Sequence, residues 1–201
     1  MGKLIRIPLS PPHLLNLLKT IFTFFMPFSS NFYPQPLIYG FAFGGVRRLL
    51  YRLKEINCCY LLFGERSIEK YLEFLVHDQP PYILGLGLYS GIDQDKIRIE
   101  TICTNKFRNK FVFSDKLIIK PIPTFLHQNE FMKEKEGIGN SYCNFVSWKI
   151  TTLINQGKLR SKYTFLHIPK KLYHSVVCQQ IDYALFIFKK TLVRQKSDKI
   201  Y

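Results

Sequence analysis

The sequence predicts an α/β fold, a three-layer sandwich in which helices cover both faces of a mostly parallel, twisted sheet. Two observations support this: short apolar runs alternate with amphipathic stretches along the chain, and glycine or proline breaks separate them. A chain of 201 residues, of which 47% are hydrophobic and 15% aromatic, is long enough to bury one core of ordinary size. We therefore expect a single domain.

The first half of this domain alternates strand and helix. Leu49, Leu50 and Leu53 recur at helical spacing with basic residues opposite them, directly after the Gly44-Gly45 turn. Because strands that alternate with helices are joined by crossovers, the sheet is predicted to be largely parallel. The predicted elements are strands at 37–43, 59–63, 82–88 and 97–103, with helices at 46–56 and 65–76.

The second half is less regular at first and then clear. Residues 104–136 predict only a strand at 117–119 and a short charged helix at 130–136. After them come a helix at 144–155, a buried strand at 163–168 and an amphipathic helix at 171–194. The α/β domain is thus predicted to span 37–194, and a polar tail, 195–201, follows it.

The N-terminal 36 residues are interpreted as a hydrophobic extension and linker. Residues 14–28 are apolar, but Lys19 interrupts the run and Pro27 ends it, which argues against both a signal sequence and a membrane span. We expect a helix that packs on the core or lies on a membrane surface. Residues 29–36 contain two prolines and no charge, which is typical of a linker.

The chain is strongly basic. It has 29 Lys and Arg residues against 14 Asp and Glu residues, a formal net charge of +15. This charge is compatible with a basic solvated surface or with an anionic partner, either nucleic acid or an anionic membrane. Residues 104–113 interleave Lys, Arg and Phe, a pattern that suits stacking on single-stranded bases or an edge strand protected against aggregation.

The cysteines and glycines exclude several common sites. Five cysteines include no C-x-x-C pair, which argues against a zinc ribbon or a disulfide scaffold and fits a reducing, cytoplasmic compartment. Gly85, Gly87 and Gly91 follow a predicted strand but miss the dinucleotide-binding G-x-G-x-x-G spacing by one residue. We expect no metal or organic cofactor.

Three residues are candidates for nucleophilic catalysis. Cys143 directly precedes a predicted helix, whose amide end favours a thiolate, although buried core cysteines are common. His167 ends an apolar strand, where it is either a general base for Cys143 or a structural histidine. Glu100 lies in a β-branched run, where a carboxylate needs a partner; His167 and Arg98 are the two alternatives.

These segments resemble the pyroglutamyl-peptidase I family of cysteine peptidases. The pattern I-x-x-E-x-x-x-x-N at 97–105, then G-x-x-x-C-N at 139–144 and F-x-H-I-P at 165–169, follows the family's order. A fourth match, G-F-A-F-G-G at 40–45, is similar to its N-terminal turn. The resemblance implies a phosphorylase/hydrolase-like fold and a catalytic triad of Glu100, Cys143 and His167.

The resemblance also implies a substrate and a pocket. Phe41 and Phe43 match the phenylalanines that help to line the family's pyroglutamyl pocket, and Asn140, Ser141 and Tyr142 precede the nucleophile. The implied activity is hydrolysis of an N-terminal pyroglutamyl or similar small amide, so the expected partner is a peptide or small amide. A homo-oligomer, nucleic acid and a membrane surface stay open as further partners.

The sequence departs from the family pattern at several positions. Thr101 stands where the family has an arginine, and Val46 begins the segment that replaces its N-P-S. These departures and the +15 charge support an alternative function: a catalytically degenerate member that acts as a basic binding module for nucleic acid or an anionic membrane.

Overall fold

The computed structural model describes residues 36–41, 44–52, 57–91, 95–172 and 174–197. The chain divides into two units, residues 1–33 and 34–201, and all the described residues belong to the second unit. The predictions made for residues 1–35, including the apolar helix and most of the linker, lie outside the described residues. So do those for Phe43 and for residues 198–201 of the tail.

Strands and helices alternate along the chain, because apolar runs form strands and amphipathic stretches form helices. The helix predicted to end near residue 194 continues to Ser197. In chain order the elements are β1 (Leu37–Phe41), α1 (Gly44–Arg52), β2 (Asn57–Leu61), α2 (Glu65–Asp78), β3 (Tyr82–Tyr89), β4 (Ile97–Glu100), β5 (Ile102–Thr104), β6 (Lys106–Phe107), β7 (Lys110–Phe111), β8 (Ile119–Pro121), β9 (Met132–Lys135), α3 (Tyr142–Asn155), β10 (Lys162–Pro169) and α4 (His174–Ser197).

Six strands form the main sheet in the order β2-β1-β3-β10-β4-β9. The four strands from β2 to β10 run parallel. β4 runs antiparallel to β10, and β9 runs parallel to β4. The predicted mostly parallel sheet is therefore confirmed, and its last two strands are reversed relative to the rest.

Two hydrophobic clusters lie on opposite faces of this sheet. Alternate residues of β1 point to opposite sides: Tyr39 joins α2 and α3 on one face, and Ile38 joins α1 and α4 on the other. Trp148 of α3 and Ile181 of α4 are almost fully buried in these clusters. Burial of each large apolar side chain stabilises the fold by roughly 1.5–3 kcal/mol. The predicted three-layer arrangement is confirmed.

The charged helix predicted at 130–136 is wrong, because this segment forms strand β9. Its backbone pairs with β4, and Met132 is buried in the cluster on the α1 and α4 face. Lys and Glu are good helix formers, but differences in helix propensity amount to less than about 1 kcal/mol per residue, and the pairing with β4 together with the burial of Met132 outweighs them. Strand β9, which precedes Cys143 in the chain, thus runs antiparallel to β10 and is separated from it by β4.

The strand predicted at 97–103 is also divided in two. Thr101 separates β4, which belongs to the main sheet, from β5, which pairs with β8 in a separate two-stranded sheet. The Thr101 amide donates to the carbonyl of Lys135, while its own carbonyl accepts from the amide of Ile122. The chain therefore leaves the main sheet directly after Glu100.

None of the helices in the described part of the chain is long and apolar enough to cross a membrane.

Candidate active site

Glu100 and His167 lie on the neighbouring strands β4 and β10. The antiparallel register places Glu100 opposite Phe165 and Arg98 opposite His167. The Nδ1–H of His167 donates to Oε1 of Glu100 at 2.7 Å, and the two residues are only 8% and 1% exposed. A carboxylate this deeply buried needs a polar partner, and the imidazole supplies it.

Arg98, the alternative partner of Glu100, makes other contacts. Its guanidinium carbon lies 3.3 Å from the centroid of the Tyr89 ring, and Nη2 donates to the Tyr89 hydroxyl. Of the two partners that the sequence left open for Glu100, the structure places His167 beside the carboxylate.

Cys143 is the second residue of helix α3, and its sulfur interacts with His167. Burial lowers the pKa of His167, but hydrogen bonds from its ring to Cys143 and to Glu100 raise it, so that the pKa reaches about 9 instead of the ordinary 6.5. Since Nδ1 faces Glu100, Nε2 is the ring nitrogen left for the thiol. His167 is therefore protonated at neutral pH, beside the thiol of Cys143.

Below the thiol, three hydroxyl groups form a buried chain. The Tyr163 hydroxyl lies 2.8 Å from that of Tyr39 and 2.6 Å from that of Ser147, which is one helical turn after Cys143. Burial raises the pKa of both tyrosines well above the ordinary value, and the nearby Cys143 charge adds to the effect. Both phenols therefore stay neutral, and Cys143 faces no phenolate.

Gly87 provides the space that the His167 ring occupies. It lies opposite His167 in the parallel pairing of β3 with β10. A Cβ atom at Gly87 would lie 2.7 Å from Cδ2 and 2.9 Å from Nε2 of His167, closer than side chains tolerate. Sequence reasoning considered this glycine only for a dinucleotide site. The available signal was a glycine inside a strand, which often marks a close approach.

Aromatic rings surround the start of α3. The Phe41 and Phe63 rings are stacked with centroids 5.1 Å apart, and Tyr142 lies 5.8 Å and 5.3 Å from them. Phe107 packs on the other side of Tyr142, at 5.0 Å. The structure thus brings together Phe41 and Tyr142, two of the predicted pocket residues. Sequence reasoning missed Phe63 and Phe107, because only tertiary folding places them here.

The loop before Cys143 is fastened to the hairpin of β6 and β7. The Asn140 carbonyl accepts from the amide of Arg108 at 2.6 Å, and its side-chain amide donates to the Arg108 carbonyl at 2.9 Å. The Arg108 guanidinium also donates to the Tyr142 hydroxyl at 3.3 Å. Ser141 is the exposed residue that caps α3. The first amides of α3 point away from the helix and can bind an oxyanion.

Asn144 is a second residue that sequence reasoning did not single out. It is fully buried in the first turn of α3. Its Oδ1 accepts from the Thr104 amide at 2.9 Å, and its Nδ2 donates to the carbonyls of Thr104 and Lys106. Asn144 therefore holds the chain after β4 against the helix that carries Cys143.

In the part of the chain that the structure describes, no group of His, Cys, Asp and Glu side chains is arranged to hold a metal.

Comparison with known proteins supports the resemblance at the level of the fold. No protein-family model matches the chain, and no curated protein matches its sequence. Among solved structures, pyrrolidone carboxyl peptidase from Thermococcus litoralis is similar with a TM-score of 0.67 and 16% identity, over 81% of this chain and 96% of that one.

Two further solved structures give the same result. A point mutant of pyrrolidone carboxyl peptidase from Pyrococcus furiosus is similar with a TM-score of 0.62 and 17% identity, over 78% of this chain and 98% of that one. Pyroglutamyl peptidase I from Bacillus amyloliquefaciens has a TM-score of 0.57 and 16% identity, over 77% and 94% of the two chains. The chain therefore has the fold of these peptidases.

Proposed function

We propose that this protein is a cysteine exopeptidase that releases an N-terminal pyroglutamyl or similar small cyclic amide residue. One observation carries the proposal: the His167 ring donates a hydrogen bond to the buried Glu100 carboxylate at 2.7 Å, and the Cys143 side chain at the start of α3 is near enough to help raise the pKa of the same ring. A thiol, an imidazole and an orienting carboxylate, linked in this order, form the arrangement that activates a nucleophile for acyl transfer. The substrate class rests on the resemblance and on the shared fold.

The reaction begins with the Cys143 thiolate, which attacks the carbonyl carbon of the pyroglutamyl residue and forms a tetrahedral intermediate. Backbone amides at the start of α3, from residues 140–143, stabilise the negative oxygen. The His167 imidazolium then protonates the leaving amine as the carbon–nitrogen bond breaks, which leaves a thioester on Cys143. Glu100 keeps Nδ1 occupied, so that Nε2 faces the sulfur and the departing nitrogen.

Hydrolysis of the thioester completes the cycle. Neutral His167 accepts a proton from a water molecule, which attacks the thioester carbonyl, and the Cys143 sulfur leaves as a thiolate. The free pyroglutamic acid is released, and the imidazolium and thiolate are restored. The stacked rings of Phe41 and Phe63, with the tilted ring of Tyr142 beside them, offer an apolar wall for the small ring of such a substrate.

Hydrolysis of a fluorogenic pyroglutamyl amide by the wild type and by Cys143→Ala tests the proposal. We expect the variant to lose at least about 10³-fold in kcat, as happens when a nucleophile is removed. Cys178→Ala is the matched control, because it removes a thiol from α4 on the opposite face of the sheet. Wild-type hydrolysis no faster than that of Cys143→Ala would rule out this substrate.

A further inference from the structure

Residues 104–121, called the arm from here on, form a separate surface beside the candidate site. The arm contains β6, β7 and β8 and pairs with β5 outside the main sheet. Five of its residues are Lys or Arg and one is Asp, so its net charge is +4. It also exposes large apolar side chains: Phe111, Phe113, Leu117, Ile118 and Ile119.

The inner face of the arm packs on helix α3. Cys103 is paired with Lys120, and these two side chains bond to Thr151 and Thr152 of α3. Phe107 packs against Phe145 at 4.6 Å on the same side. The inner positions of the arm are therefore occupied by the protein itself.

The outer face alternates with these inner positions. Ile119 precedes Lys120 and lies opposite Thr104, and Phe111 lies opposite Lys106. Because paired residues of an antiparallel ladder share one face, Ile119 and Phe111 point away from α3. Leu117, Ile119 and Phe111 are 54%, 55% and 41% exposed. Phe111, Ile119 and Lys106 thus share the outer face.

A buried asparagine fixes the shape of the arm. The Asn105 side chain donates to the Lys116 carbonyl at 2.9 Å and accepts from the Ile118 amide at 2.8 Å. Its backbone carbonyl accepts from the Val112 amide at 2.8 Å. The apolar residues therefore project from a hydrogen-bonded frame.

We propose that the outer face of the arm docks on the surface of an anionic lipid bilayer. Exposed apolar side chains insert into the boundary between headgroups and acyl chains, and the surrounding cations are attracted by anionic headgroups. Of the rings in the arm, Phe107 and Phe113 lie against α3, and Phe111 lies on the outer face. One ring offers little stacking to successive bases, whereas the aliphatic side chains of Leu117 and Ile119 favour lipid over single-stranded nucleic acid. A second copy would bring two faces of the same positive charge together, which opposes self-association.

Binding of the full chain to vesicles tests this inference. Vesicles of phosphatidylcholine alone are compared with vesicles that also contain phosphatidylserine, at low and at high salt. We expect binding to the anionic vesicles only, weakening as salt is added. In Leu117→Gln/Ile119→Gln and in Lys106→Glu/Lys116→Glu, the partition coefficient is expected to fall about tenfold or more.

Matched controls lie on α4, on the opposite face of the sheet. Tyr183→Gln/Phe186→Gln removes two exposed apolar side chains, and Lys189→Glu/Lys190→Glu reverses two exposed cations. These controls should bind the anionic vesicles as the wild type does. All the altered side chains are exposed, so the melting temperatures should stay close to that of the wild type.

The inference is overturned if the wild type does not bind the anionic vesicles or binds the neutral vesicles equally well. Three further results would also overturn it. The first is equal loss of binding in the arm variants and in the α4 controls. The second is arm-dependent binding to a single-stranded oligonucleotide without binding to vesicles. The third is a dimer in sedimentation that the Leu117 and Ile119 changes abolish, again without binding to vesicles. The docking is independent of the proposed peptidase function, because hydrolysis of the pyroglutamyl amide is a separate measurement on the same samples.

Discussion

The carboxylate of Glu100 and the imidazole of His167 are joined by a 2.7 Å hydrogen bond between two neighbouring strands that run in opposite directions. Because β4 and β10 are held in register by backbone hydrogen bonds, the sheet itself sets the distance between these side chains. The imidazole is therefore oriented before any substrate arrives. Its Nε2 faces the start of α3, where Cys143 lies.

Replacement of Glu100 by Gln tests this orienting role. A neutral amide of similar shape stabilises the imidazolium less, so we expect kcat for the pyroglutamyl amide to fall by about 10²–10⁴-fold with a small change in KM. The pKa of His167 should also fall, since hydrogen bonding to Glu100 is one cause of its elevation. An NMR titration of the ring checks this shift. Glu134→Gln, on the adjacent strand β9, is the control and should leave the His167 pKa unchanged. An unchanged His167 pKa in Glu100→Gln would contradict the orienting role of Glu100.

The raised pKa of His167 predicts a particular dependence of stability on pH. The folded protein binds this proton up to about pH 9, whereas the unfolded chain releases it near the ordinary 6.5. The stabilising contribution is therefore fully present below pH 6.5 and is lost as the pH rises through about 9. The shift of the His167 pKa corresponds to a contribution of about 3 kcal/mol to the free energy of unfolding.

Urea unfolding between pH 6 and pH 8 measures this contribution, because the buried cysteines and tyrosines affect stability only at higher pH. The wild type should lose stability across that range, and His167→Gln should lose much less. His127→Gln removes an exposed histidine and should follow the wild-type curve. Parallel curves for the wild type and His167→Gln would show that no proton on His167 stabilises the fold.

Most of the fold could be predicted from the sequence because its signals are local. Apolar runs such as 82–88 and 163–168 predict buried strands, and alternation with helices predicts parallel pairing. The direction of β4 relative to β10 has no local signal, since only long-range pairing determines it. For the same reason, the four residues Met132–Lys135 were predicted as a helix and form β9.

The residues of the candidate site also fall into two groups, those that the sequence could identify and those that it could not. Glu100, Cys143 and His167 could be selected because each residue type is unusual or informative in its local segment, and the structure joins two of them, Glu100 and His167, by a hydrogen bond. Phe63 and Phe107 could not be selected, because an isolated phenylalanine in a loop or short strand is not specific to a pocket. Gly87 has no side chain, and its importance comes only from the ring that lies against it.

Replacement of Gly87 by Ala should displace the His167 ring. The added methyl group would lie 2.9 Å from Nε2, the nitrogen that faces Cys143, so the ring must move or the strands must separate. We expect a loss of about 1–3 kcal/mol in the free energy of unfolding from overpacking. We also expect slower alkylation of Cys143 by iodoacetamide at neutral pH, because the imidazole no longer supports the thiolate.

Gly85→Ala is the matched control for this effect. It lies two residues earlier on the same strand, and its added methyl group would meet the Phe165 and Tyr39 rings at 2.5–2.7 Å. Both variants should be destabilised, but only Gly87→Ala should slow the alkylation of Cys143. If both slow it equally, general loosening of the sheet explains the effect and Gly87 has no specific role beside His167.

Asn144→Asp tests whether the first turn of α3 holds the arm in place. The new carboxylate oxygen would replace Nδ2 and face the carbonyls of Thr104 and Lys106 without a proton to donate. The amide end of a helix favours a negative charge by only about 0.3–1 kcal/mol, whereas a buried charge against two carbonyls costs at least about 3 kcal/mol. We therefore expect Asn144→Asp to have a lower free energy of unfolding than the wild type. The pKa of the new carboxyl must rise in the folded state, so part of the lost stability should return between pH 7 and pH 5.

Asn155→Asp is the matched control, because Asn155 is exposed at the other end of the same helix. It should cost no more than about 1 kcal/mol and show no such recovery. Urea unfolding of both variants at the two pH values decides the question, and equal effects at the two positions would contradict this role for Asn144.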